Sequence, residues 1–293
     1  MATINTNMAA NIAANSLTRN ERTMGQTMER LSTGIRINSA KDDAAGLAIS
    51  SKMTSQINGL NQAVRNANDA ISMIQVAEGA MKGITDMMQR MRELAVQSIS
   101  DSNTNDDRSA LDSEFDDLKA EVLRIANNTQ WNGTNLLDGE IGTSGTVTFQ
   151  IGANAGQTID VVFTDMGTSS SEVALGALVD ADETAGTSDV ALAALGVDSD
   201  TNAKAALYAL AEGISNVDSA RATLGASMSR LEYASDNLTN VAQNSSAARS
   251  RILDADYAAE TTELARTQII QQAGTAMLAQ ANQSAAQVLA LLK

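Results

Sequence analysis

Apolar residues return every three or four positions along most of the chain. Met53, Ile57, Leu60, Val64, Ala67, Ile71 and Ile74 alternate steps of four and three, the spacing of a coiled-coil seam. The stripe continues through Ala77, Met81, Ile84, Met88, Met91 and Ala95, and the two steps of three around Ile74 predict a local change of winding. At 100–107 the run SDSNTNDD breaks the pattern with turn formers and offers N-caps for the next helical segment. Leu111, Phe115, Leu118, Val122 and Ile125 then predict a helix folding back on the first. Leu207, Leu210, Ile214, Val217, Leu224, Met228, Leu231, Leu238 and Ile252 share one heptad frame. A helix over 207–252 would be about 69 Å long at ~1.5 Å per residue, and it needs partners along its whole length.

The period changes between about 130 and 165. Val147, Phe149 and Ile151 alternate with polar residues, GANAGQT intervenes, and Ile159, Val161 and Phe163 alternate again, which predicts a β-hairpin. Residues 166–202 are rich in Gly, Ser, Thr, Asp and Ala with no sustained period and read as a short variable surface insertion. Both ends of the sequence carry further helical stripes. Ile4, Met8 and Ile12, then Leu17, Met24 and Leu31, mark one end; Ile270, Ala273, Met277, Ala281, Ser284, Val288 and Leu291 mark the other. The long helices can be covered only if the chain goes out, turns and returns, so residues 1–31 and 264–293 are expected side by side. Such a pair buries little, leaving one face for other copies of the same chain.

The expected fold is mainly α, with long coiled-coil helices from both halves of the chain packed as a rod, a small β-hairpin region and a short variable insertion.

Composition agrees with long helices. A chain of 293 residues would carry roughly 15 prolines at average usage, and this one has none. With one Trp, three Tyr and three Phe, burial falls to aliphatic residues, Met and Ala. A formal charge of −15 argues against nucleic acid and anionic membrane as partners, because phosphates are neutralised by an excess of Lys and Arg. No apolar run approaches the ~18 residues of a membrane span. The sequence does not open with a basic segment and apolar core, so the chain is expected either in the cytoplasm or exported without a cleaved signal.

Catalytic chemistry finds little to use. Neither His nor Cys is present, which removes the commonest general base, the commonest metal ligands and thiol nucleophiles; no enzyme activity, cofactor or metal is expected. The carboxylates of AKDDAAG (40–46) and FDD (115–117) read as helix-start and helix-face residues. DSDTN (198–202) starts like a calcium loop, but Ala203 and Ala209 stand where Gly and an acidic ligand are needed, so helix capping explains it better. GANAG (152–156) precedes a strand and reads as a turn rather than a phosphate cradle. Met81, Met88 and Met91 read as core.

ERLSTGIRINSAKDDAAGLAIS (29–50) closely resembles the N-terminal region of bacterial flagellins. The likeness extends through QRMRELAVQS (89–98), NNTQWNGTNLL (127–137), ARSRILDADYAAETTELARTQIIQQAGTAMLAQANQ (248–283) and VLALLK (288–293). The resemblance implies that residues 1–44 and 255–293 form a terminal helical inner-core domain and that 45–165 with 203–254 form a helical rod domain carrying the hairpin. It implies a subunit exported by the flagellar type III route that polymerises with itself into the extracellular filament for swimming. It also implies an export chaperone and filament cap or junction proteins as partners. A hook–filament junction protein would share the terminal stripes, and a cytoplasmic coiled-coil adaptor would share the heptads.

Arg90, Leu94 and Gln97 lie at steps of four and three beside the seam, so part of this stripe is expected to face outward, with Leu94 exposed between Arg90 and a Glu of the next helix as a protein contact. Folding back around residues 102–103 would bring Glu114 next to Arg90. In flagellins with this pattern the matching positions form the surface bound by Toll-like receptor 5 and pack between subunits, and residues 29–50 resemble the stretch detected by the plant flagellin receptor. Ser169, Ser170, Ser171, Thr187 and Ser188 are candidate O-glycosylation sites in the insertion.

Overall fold

The computed structural model describes residues 7–166 and 195–290, with side chains to residue 283. About 75% of the described residues are helix, so most backbone bonding is met within single segments and the fold is decided by which helical faces pair. In chain order the elements are α1 (Met8–Thr33), α2 (Ala44–Ser98), α3 (Asn105–Asn128), β1 (Gln130–Trp131), β2 (Thr134–Asn135), β3 (Thr146–Gln150), β4 (Thr158–Val162), α4 (Asp200–Leu253) and α5 (Tyr257–Ala290). Two compact units emerge: Met1–Ile57 with Gln243–Lys293, and Asn58–Ala242.

The acidic and polar runs between helices serve as caps. Asp43 accepts a hydrogen bond from the Gly46 N–H at the start of α2, at 2.9 Å. Thr104 and Asp107 form a reciprocal capping box on α3, and the Thr104 hydroxyl holds the Asp107 carboxyl below its ordinary range. Ser199 accepts from the Asn202 N–H where α4 begins. These are the roles expected for AKDDAAG, SDSNTNDD and DSDTN.

The unit Asn58–Ala242 has a continuous apolar core. Ala67, Ala70, Ile74, Ala77, Met81, Ile84, Met88 and Met91 of α2 meet Phe115, Val122 and Ala126 of α3 and Ala203, Ala206, Leu210, Val217, Leu224 and Leu231 of α4. The many alanines admit close helix approach, which is how a chain poor in aromatics builds a packed core. Strands β3 and β4 pair antiparallel with Val147 opposite Val161 and Phe149 opposite Ile159, so the residues that alternate in sequence share one face. Asn132 and Gly133, at φ 48° and 80°, turn β1 into β2 and deliver Leu136 and Leu137 into the core. The segment leading into α4 is pinned on α2 and α3: the Val197 carbonyl accepts from Ser98 Oγ and its N–H donates to Asp112.

In the other unit α1 and α5 pack antiparallel, with Asn7 beside Ala281, Asn20 beside Thr267 and Arg30 beside Glu260. Where α1 ends, Gly34 adopts φ 71° and its carbonyl accepts from Ala255 N–H; Arg36 N–H donates to the Leu253 carbonyl and its guanidinium to that of Ile252. These bonds clip residues 34–36 to residues 252–255.

Candidate functional site

The α1–α5 pair is a coiled coil with a polar seam. On α1 the half-buried and buried residues include the run Ala13, Leu17, Asn20, Met24, Thr27 and Leu31; on α5 they include Glu260, Leu264, Thr267, Gln271, Gly274, Leu278 and Ala281. Both sets alternate steps of four and three. Asn20 and Thr267 are buried and joined by a 2.7 Å bond from Asn20 Nδ2 to the Thr267 carbonyl, and Thr27 is buried as well. A buried Asn at such a position fixes register, at a stability below that of a well-packed apolar residue in its place. Arg30 and Glu260 close the other end with a 3.1 Å ion pair. A Cβ on residue 274 would stand 3.0 Å from Leu17 Cδ1, so glycine lets the helices approach there.

The apolar residues missing from this seam lie outside it. Met8, Ile12, Met28, Ile269, Ile270 and Met277 are exposed, Ile12 at 62% and Met277 at 67%. Ile12, Leu17, Ile270 and Met277 line an open groove of about 430 Å³ along the pair. The expectation that the two ends lie side by side holds, but the stripe through Ile270 and Met277 faces out, and the helix pairs through the face carrying Leu264, Thr267 and Gly274. Residues 284–293 of that stripe lie outside the described side chains. The α5 seam escapes a hydrophobicity scan because five of its seven members are polar or small; the four-three spacing of Leu17, Asn20, Met24, Thr27 and Leu31 is the signal that finds it on α1.

The second candidate surface is on α2 and α3. Arg90 Nε and Nη2 both donate to Glu114 Oε1, at 3.1 and 2.8 Å, and Nη1 donates to Glu93 at 3.0 Å. Glu114 first and then Glu93 hold the Arg90 guanidinium still more firmly in its charged form. Each side chain of the triad is about half exposed or more, and Gln97 is exposed one turn beyond Glu93. The fold-back thus brings Arg90 to Glu114 as the sequence predicts. Leu94 departs from expectation: it is not exposed but fully buried in the core. A single seam on α2 would leave Leu94 on its flank, but α2 meets α3 and α4 here, and two neighbours widen the buried face. The candidate glycosylation sites Ser169, Ser170, Ser171, Thr187 and Ser188 lie outside the described residues.

Residues 4–141 match the family described as bacterial flagellin N-terminal helical region, and residues 207–292 match the bacterial flagellin C-terminal helical region. The chain belongs to the bacterial flagellin family. The flagellin of Halalkalibacterium halodurans is 44% identical over 99% of both chains, that of Bacillus subtilis 42% and flagellin FlaB1 of Treponema pallidum 40%, each also over 99% of both chains. The crystal structure of Bacillus cereus flagellin is 27% identical with a TM-score of 0.48, covering 63% of this chain and 94% of that one. Flagellins are structural proteins rather than enzymes, and this one is a structural subunit of the extracellular flagellar filament. No helix among the described residues is long and apolar enough to cross a membrane.

Proposed function

We propose that this flagellin is exported by the flagellar type III route and assembles with copies of itself through the outward apolar face of the α1–α5 pair. One observation carries this reading: the pair holds Asn20, Thr27 and Thr267 inside and Met8, Ile12, Ile270 and Met277 outside. An isolated helix pair gains nothing from that inversion, whereas burying those residues between subunits contributes ~1.5–3 kcal/mol for each large apolar side chain covered. In this reading residues 1–44 and 255–293 form the assembly domain, and the helices of 45–165 and 203–254 with the hairpin form a second domain. Export chaperone and cap or junction proteins would compete for the same face.

The exposed triad of Arg90, Glu93 and Glu114, with Gln97, is the part of the second surface open to a host receptor such as Toll-like receptor 5, Leu94 holding it from beneath. Residues 29–50 are the stretch offered to a plant flagellin receptor, and they include the exposed Lys41 and Asp43.

Electron microscopy of the purified chain under salting-out conditions tests assembly. The wild-type chain is expected to give long helical filaments, and Ile270→Glu to leave a folded monomer that gives none. Finite bundles from the wild type, or normal filaments from Ile270→Glu, would overturn the reading.

A further inference from the structure

The chain has thirteen methionines and no cysteine, so every sulfur in it is a thioether. Their surroundings divide them. Met81, Met88, Met91 and Met166 are fully buried in the unit Asn58–Ala242, and Met73 nearly so. Met8, Met28 and Met277 each expose more than half of their surface, and all three belong to the α1–α5 pair. Met277 lines the groove beside Ile12 and Ile270, and Met8 stands one turn before Ile12. Oxidation of a thioether requires an oxidant to reach the sulfur lone pair, so exposure selects which methionines react.

We infer that Met277, together with Met8 and Met28, is an oxidation site through which a peroxide switches off the assembly face of the free subunit. The inference rests on the proposal that this face joins subunits. The sulfur lone pair attacks one peroxide oxygen and the O–O bond breaks. The sulfur loses two electrons and keeps that oxygen, which gives up its proton to become the sulfoxide oxygen; the peroxide gains the two electrons, and its second oxygen departs as hydroxide and takes up a proton to leave as water.

The sulfoxide is polar and chiral, with an oxygen that needs a hydrogen-bond donor once it is covered. Of the residues lining the groove, Ile12, Ala13, Leu17, Ile270 and Gly274 have no side-chain donor, and Ser16 alone carries a hydroxyl. A subunit oxidised at Met277 therefore presents an unsatisfied acceptor where its neighbour offers apolar surface. The core of the other unit keeps its fold because Met81, Met88, Met91 and Met166 inside it are out of reach. Reductases specific for the two sulfoxide epimers restore the thioether, which makes the switch reversible.

The test treats dilute subunit with hydrogen peroxide, maps oxygen uptake by peptide mass, and measures the lowest concentration that supports filament growth. Met8, Met28 and Met277 should each gain one oxygen well before Met81, Met88, Met91 and Met166. The critical concentration should rise about tenfold or more and return after treatment with both reductases. Met277→Gln, untreated, should reproduce a rise while the melting of the unit Asn58–Ala242 stays unchanged. Equal oxidation of exposed and buried methionines would overturn the proposal. So would unchanged assembly after oxidation, or unchanged assembly of Met277→Gln. If the untreated wild type does not polymerise, the assembly reading fails and the switch fails with it; loss confined to the oxidised arm can arise only when assembly itself is sound.

Discussion

The two units of this flagellin are built from the same heptad spacing and use it in opposite ways. In the unit Asn58–Ala242 the seam positions are Ala, Ile, Met, Leu and Val, and the few buried polar side chains are Thr85, Ser98 and Ser227. In the terminal unit the buried large apolar residues among those described are Ile37 and Ile57, while Asn20, Thr27, Ser50 and Thr267 are buried beside them. The spacing makes a helix pair in both cases. What occupies the seam decides whether that pair is a self-sufficient core or a fixed-register support for an outward surface.

The largest expected effect that separates the two comes from truncating one aliphatic side chain in each. Leu94→Ala should destabilise the unit Asn58–Ala242 by about 2–5 kcal/mol, because it opens a cavity in a packed core. Urea unfolding followed by circular dichroism reads this as a lower midpoint. Ile269→Ala, at an exposed site on α5, should move the monomer's transition by less than about 0.5 kcal/mol. A small effect at Leu94 would break the contrast.

A second measurement sharpens it from the polar side. Asn20→Ala removes the buried bond to the Thr267 carbonyl and should weaken the terminal pair by about 1.5 kcal/mol. Limited proteolysis of dilute subunit should then cut within α1 and α5 sooner, with no change in the cutting of α2 and α3. Even in the wild type the terminal pair should be cut first, since its seam buries less apolar surface.

Much of this arrangement is legible in the sequence. Leu111 to Ile125 mark α3, the heptads from Leu207 mark α4, and the alternation around Phe149 and Ile159 marks the hairpin, because in each the inward residues are apolar. Legibility fails where that premise fails. The outward stripe of α5 is more hydrophobic than its seam, so Ile270 and Met277 point to the wrong face. Leu94 misleads for a different reason: periodicity counts one neighbour per helix, and α2 has two along this stretch. The β1–β2 turn at Asn132–Gly133 carries a hairpin signal in its dipeptide, but two-residue strands are too short to show a period.

A smaller effect is expected at the cap of α3. Thr104→Ala should cost about 1 kcal/mol by removing the acceptor for the Asp107 N–H, with hydrogen exchange rising over the first turn. Asp107 titrates below its ordinary value in the folded chain, so its contribution is complete above the unfolded carboxyl value and is lost as pH falls through the folded one. Protection at the start of α3, taken relative to the intrinsic exchange rate at each pH, should therefore fall in acid, and the wild type should converge on Thr104→Ala. The smallest structural effect belongs to Arg90→Ala, which removes a solvent-screened triad and should leave the melting curve unchanged. Its readout is receptor activation by the monomer: loss of response with an intact fold would assign the triad to recognition, and full response would remove it.

The clip between residues 34–36 and 252–255 has a consequence for the timing of folding. Bonds such as Asn7 to Ala281, Asn20 to Thr267, Arg30 to Glu260 and Arg36 to Ile252 join residues more than two hundred positions apart. During synthesis α1 and α2 exist long before α5, and nothing local can stand in for it. Closure of so large a loop is slow, because the ordering of the chain precedes the contacts that reward it. The nascent subunit therefore waits in an open form until its last helix is available, and any factor that binds the unpaired α5 holds the entire terminal unit open by occupying a single segment.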